Sequence, residues 1–121
     1  MSIASTINIT IDQGTNFLGQ ASVDDGAFPT PAPINLSGGS IFGEIRESKY
    51  SPVLASFTID VVDAVNGGFT FSLSPSQTMS LPMTTPQSPL KYDILLIKAS
   101  LERLRLVMGQ VIVREAITIK P

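Results

Sequence analysis

The sequence predicts an all-β domain, a sandwich of about seven strands with one short helical turn. Several short stretches alternate apolar and polar residues with a period of two and favour β-branched side chains. Turn signals interrupt them at intervals of roughly ten residues, the spacing of a sandwich or barrel. Apolar residues make up 43% of the chain and charged residues 15%. That is low against an average of about 25% and opposite to the balance of a disordered chain. The 121 residues suit a single domain spanning 1–121 with extended terminal segments. Such a domain buries roughly two-thirds of its unfolded surface, enough for one core without metals or disulfides.

The first strand is predicted at Ile7, Ile9 and Ile11, with Asn8, Thr10 and Asp12 between them. Asp12-Gln13-Gly14 ends it, since Gly14 can supply a positive φ. Phe17, Gly19, Ala21 and Val23 share one face of a second strand, and Asp24-Asp25-Gly26 is a turn signal. Pro29, Pro31 and Pro33 then rule out a central strand, because each lacks the amide donor a ladder requires. Alternation resumes at Ile41, Gly43 and Ile45, with Phe42 on the second face, which suggests that both faces are covered. Glu47 to Pro52 reads as a polar loop. Ala55, Phe57, Ile59 and Val61 form the next strand. Asn66-Gly67-Gly68 then turns it into a hairpin completed by Phe69, Phe71 and Leu73.

Ser74-Pro75-Ser76-Gln77 has the grammar of a helix start. Ser74 serves as N-cap, proline occupies the first helical position, and Gln77 closes a capping box. Pro82 stops the helix, leaving Met79 or Leu81 to pack as a lid on the sheet, and Met83 to Pro89 is a second proline-rich loop. The segment from Ile94 to Met108 admits two readings. Ile94, Ile97, Leu101, Leu104 and Met108 fall at helical spacing, but Tyr92, Ile94 and Leu96 alternate as a strand does. The valine-rich run Val107 to Val113, the apolar Tyr92 to Ile97 and the need for partners at the sheet edges favour a hairpin turning near Ala99-Ser100. Ile117 to Pro121 is expected to continue as an extended tail.

Composition narrows the function. The net charge is −2 and no basic block exists, Arg103 and Arg105 being the densest group, so a nucleic-acid partner is not expected. No apolar run is long enough for a helical membrane span, and the N-terminus does not read as a secretory leader. Histidine and cysteine are absent, which removes the commonest general base, metal ligand and thiol nucleophile. No enzyme activity, cofactor or metal is expected. Asp24 and Asp25 read as turn residues rather than calcium ligands, because no further acidic residue follows at loop spacing. Asp60 and Asp63 flank the hairpin and are expected in solvent. Gly38-Gly39 and Gly67-Gly68 read as backbone turns, lacking the lysine of a phosphate loop. Tyr92 is placed to act as a tyrosine corner.

Several stretches resemble one family when taken in order. They are Ile11-Asp12-Gln13-Gly14-Thr15-Asn16-Phe17, Ile34-Asn35-Leu36-Ser37-Gly38, Ile41-Phe42-Gly43-Glu44-Ile45-Arg46-Glu47-Ser48, and Ala64 to Gln77 with its Asn66-Gly67-Gly68 hairpin. Tyr92-Asp93-Ile94 and Gly109-Gln110-Val111-Ile112-Val113 complete the series. Together they resemble small tailed-bacteriophage virion proteins with an immunoglobulin-like β-sandwich. Each motif alone is weak; order and spacing across nearly the whole chain carry the likeness. The chain departs from the pattern in the extra prolines after Asp25 and in the apolar Leu101 at a turn that is usually polar. The resemblance implies a structural part in a virion, in the tail, baseplate or neck, made in the host cytoplasm, with other virion proteins and further copies of itself as partners. Capsid decoration and a stand-alone binding or adhesion module are the alternatives. The second of these usually shows exposed aromatic clusters, whereas this chain has no tryptophan and two tyrosines.

The low charge content and stiff loops point to contacts made by loops and termini, since stiff loops lose little entropy on docking. The candidate interface residues are Phe28, Pro29 and Pro31 in the first proline-rich loop, Tyr50 in the polar loop, Met83 and Pro86 in the second, Leu101 at the last turn and Ile117 near the C-terminus. Terminal strands can in addition pair with a neighbour's sheet edge.

Overall fold

The computed structural model describes residues 5–24, 30–85 and 87–117. Its strands are β1 (Ser5–Thr6), β2 (Ile9–Asp12), β3 (Phe17–Ser22), β4 (Ser40–Arg46), β5 (Ala55–Ser56), β6 (Thr58–Asp63), β7 (Gly68–Leu73), β8 (Leu90–Ile97) and β9 (Arg103–Arg114). One helix, α1 (Pro75–Met79), lies between β7 and β8. The larger sheet runs β1-β9-β8-β4-β5, with β2 also on β9, and the smaller runs β3-β7-β6. Two sheets packed over one apolar interior make the predicted β-sandwich.

Among the described residues the strands number nine rather than about seven, for two local reasons. β1 and β2 keep one continuous parallel register on β9, Ser5 opposite Val107 and Ile9 opposite Val111, and are separated only at Ile7–Asn8. The stretch Ala55 to Val61 reads as one strand in the sequence but changes sheet at Phe57. Ala55 pairs with Ile45 in the larger sheet, whereas Ile59 pairs with Phe71 in the smaller. At the crossing the Phe57 amide donates to the Gly43 carbonyl at 2.9 Å while its ring is buried between the sheets. Alternation is preserved through such a crossing, so periodicity cannot reveal it.

The interior is built from the inward positions of both sheets. Phe69, Ile45, Ile94, Leu96, Val107 and Val111 are fully buried. Phe57 meets Phe71 edge-on at 5.2 Å between ring centroids, and Phe71 stacks on Tyr92 at 6.2 Å. Such pairs add about 0.5–1.5 kcal/mol beyond their buried area. Phe42 is not covered: it lies on the outer face of the larger sheet, 54% exposed.

The last third is a hairpin, as the strand reading has it, with β8 and β9 antiparallel from Leu90–Val111 to Ile97–Arg103. Its turn centres on Ala99-Ser100: the Leu101 amide donates to the Lys98 carbonyl at 2.8 Å, and the Lys98 amide to the Glu102 carbonyl at 2.8 Å. The β6–β7 turn uses Gly67 at φ +75°. A side chain there would strike the Val23 and Ile34 carbonyls, so glycine answers both the backbone conformation and the close approach.

α1 has the anticipated capping box. The Ser74 hydroxyl accepts from the Gln77 amide, and the Gln77 side chain accepts from the Ser74 amide. Of the two proposed lid residues Leu81 is buried, while Met79 remains 40% exposed. Thr78, which the pattern did not single out, is fully buried.

Candidate functional site

The motifs that look most like a site are engaged by the fold. In the Asp12-Gln13-Gly14 run each residue ties down a different element. Asp12 holds the Arg114 guanidinium at both oxygens, at 2.5 and 2.9 Å, joining β2 to the end of β9. That hydrogen-bonded pair lowers the Asp12 pKa and raises that of Arg114. The Gln13 side chain donates to the Leu81 carbonyl at 2.8 Å and accepts from the Ala116 amide at 3.2 Å. The Gly14 amide donates to the Thr78 hydroxyl at 3.0 Å, which in turn donates to the Thr15 carbonyl at 2.8 Å. Thr78 therefore pins α1 to the β2–β3 turn.

Tyr92 serves the fold as well, though not as the expected corner. Its hydroxyl does bond upstream backbone, but far upstream: it reaches over β9 within the larger sheet and donates to the Ile7 carbonyl at 2.6 Å. Burial pushes this hydroxyl up from its ordinary value of 10.0 to about 12, because the phenolate would lose its hydration.

The proposed interface residues can be placed in part. Phe28, Pro29 and Pro86 lie outside the described residues, as do Asp25 and the tail from 118 onward. Pro31, Met83 and Ile117 are exposed. Tyr50 is 89% exposed, with the Lys49 ammonium 5.4 Å from its ring. Leu101 is 79% exposed and its φ is +71°. The described ones among them stand on separate turns and loops of the chain. Among the described residues no group of three acidic side chains comes together to hold a metal.

One coherent surface was missed by residue-by-residue reading. The outer face of the larger sheet forms a shallow depression of about 1090 Å³. Arg46 from β4, Lys91 from β8, Arg103 and Arg105 from β9, and Lys49 from the following loop line it. These are five of the eight Lys and Arg residues of a chain whose net charge is −2. Two carboxylates face them. Glu44 pairs with Arg46 at 2.9 Å, and Asp93 with Arg105 at 3.3 Å. Lys91 and Arg103 are in no ion pair among the described residues. The sequence hides this cluster because its members come from three strands whose pairing brings them together.

Comparison with protein-family models and with curated protein sequences gives no match.

Proposed function

We propose that the chain is a non-enzymatic structural component of a tailed-bacteriophage particle, in the tail, baseplate or neck, acting through protein–protein contacts. The ordered series of motifs in the sequence suggests the particle. The conformation of Leu101 supports the contacts. At the β8–β9 turn this leucine occupies a left-handed conformation that glycine adopts without cost, and its side chain projects into solvent. A bulky apolar residue that is both strained and exposed gives the isolated domain no benefit. Held against a neighbour, it becomes an anchor on a rigid turn.

The test is mass spectrometry of purified particles produced by the genome that encodes the chain, followed by imaging of those particles. The expected result is the protein in fixed stoichiometry, with the turn at Leu101 seated against another subunit. Absence from every purified particle would overturn the assignment.

A further inference from the structure

The two outer faces of the sandwich are opposite in charge. We infer that copies of this chain associate head to tail, the cationic outer face of one larger sheet receiving the acidic outer face of the next copy's smaller sheet. The inference rests on the reading of the chain as a structural module and supplies the geometry of its self-contact.

The smaller sheet carries no Lys or Arg in β3, β6 or β7, and its charged residues are Asp60 and Asp63. Both are exposed. Asp63 is engaged in its own hairpin, accepting from the Asn66 side chain at 2.9 Å. Asp60 is in no ion pair among the described residues. Leu18 at 71% and Val62 at 67% exposure supply apolar surface on the same strands. On the larger sheet, exposed Phe42 and Met108 lie among Lys91, Arg103 and Arg105. Each outer face thus offers apolar side chains beside charge of one predominant sign.

Charge complementarity selects the second copy as occupant. A cationic face cannot dock on its own duplicate without repulsion, which excludes a two-fold contact of that face with itself. It can dock on the acidic face, which every copy also carries. A contact between two different faces of the same chain is heterologous, and its repetition closes into a ring or grows into a filament. Opposite potentials orient such encounters, and salt weakens them.

Sedimentation of the recombinant chain as a function of salt tests the inference. Lowering salt from about 0.5 M to about 0.05 M should tighten self-association by about tenfold or more. Two variants separate the faces: Lys91→Glu with Arg103→Glu, and Asp60→Lys with Leu18→Lys. Each alone should remain monomeric with an unchanged circular dichroism spectrum. Mixed in equal amounts, they should co-assemble in alternation, because each docking face of one variant is opposite in charge to the face it meets on the other. A chain carrying all four substitutions should again self-associate in a salt-sensitive manner. A wild-type chain that is monomeric at low salt, variants that assemble like wild type, or a mixture that stays monomeric would each overturn the inference. A monomer found in the particle removes the head-to-tail contact and leaves the structural role. A head-to-tail oligomer absent from particles does the reverse.

Discussion

The hydroxyl of Tyr92 donates to the carbonyl oxygen of Ile7 at 2.6 Å, between residues 85 positions apart. The bond forms at the break between β1 and β2. There the Ile7 amide still donates to the Met108 carbonyl at 2.9 Å, and the Asn8 side chain accepts from the Gln110 amide at 3.0 Å. The parallel edge segment is therefore fastened where its ladder is interrupted, by the Tyr92 and Asn8 side chains together with one backbone bond. Tyr92→Phe should cost about 0.5–1.5 kcal/mol, the net worth of a hydrogen bond to a partly buried carbonyl. Denaturant unfolding of both proteins measures the difference, and a loss near zero would show that water replaces the hydroxyl.

The same residue predicts an alkaline limb. The folded value of Tyr92, about 12, lies above its ordinary value of 10.0. Its contribution to stability is complete below about pH 10 and is lost as pH rises through about 12, because the unfolded chain releases this proton first. Unfolding midpoints of wild type and Tyr92→Phe should converge over that window. Parallel curves would mean that the hydroxyl is not desolvated in solution.

Gly109 should tolerate no side chain. A Cβ there would collide with the Ile7 carbonyl and carbon and crowd the Tyr92 ring. Gly109→Ala should destabilise by about 1–3 kcal/mol, the range for overpacking. Hydrogen exchange should show lost protection at the edge segment, Ser5 to Asp12, before the rest of the larger sheet. Uniform loss of protection would place the effect elsewhere.

Phe57→Ala and Phe71→Ala should each cost about 3–5 kcal/mol. Both rings are buried and they contact each other edge-on, so the double variant should lose less than the sum of the singles. Strict additivity in urea unfolding would argue against the ring contact.

Leu101→Gly should stabilise the isolated domain by about 1 kcal/mol through relief of the left-handed strain. If the leucine is an anchor, the same substitution should weaken incorporation into the particle. Loss of domain stability on this change would show that the exposed side chain packs in solution.

The short-range features were determined by the sequence itself. Alternation placed the inward residues of β2, β3, β4, β7 and β8. The Asn66-Gly67-Gly68 turn and the Ser74–Gln77 capping box follow from local backbone chemistry, which needs only neighbouring residues. The Ile94–Met108 segment was ambiguous locally, because its apolar residues fit both a helical and an alternating period. The pairing of β8 with β9 and β4 resolved it. Tertiary structure alone decided the sheet change at Phe57, the partner that Tyr92 finds two strands away in its own sheet, the engagement of Asp12, Gln13 and Gly14 by Arg114, Leu81 and Thr78, and the exposure of Phe42. It also gathered Arg46, Lys91, Arg103 and Arg105 on one face. Each of these depends on which strands become neighbours. That choice is made by burying all apolar faces at once in a single core, and a period read along one strand does not contain it.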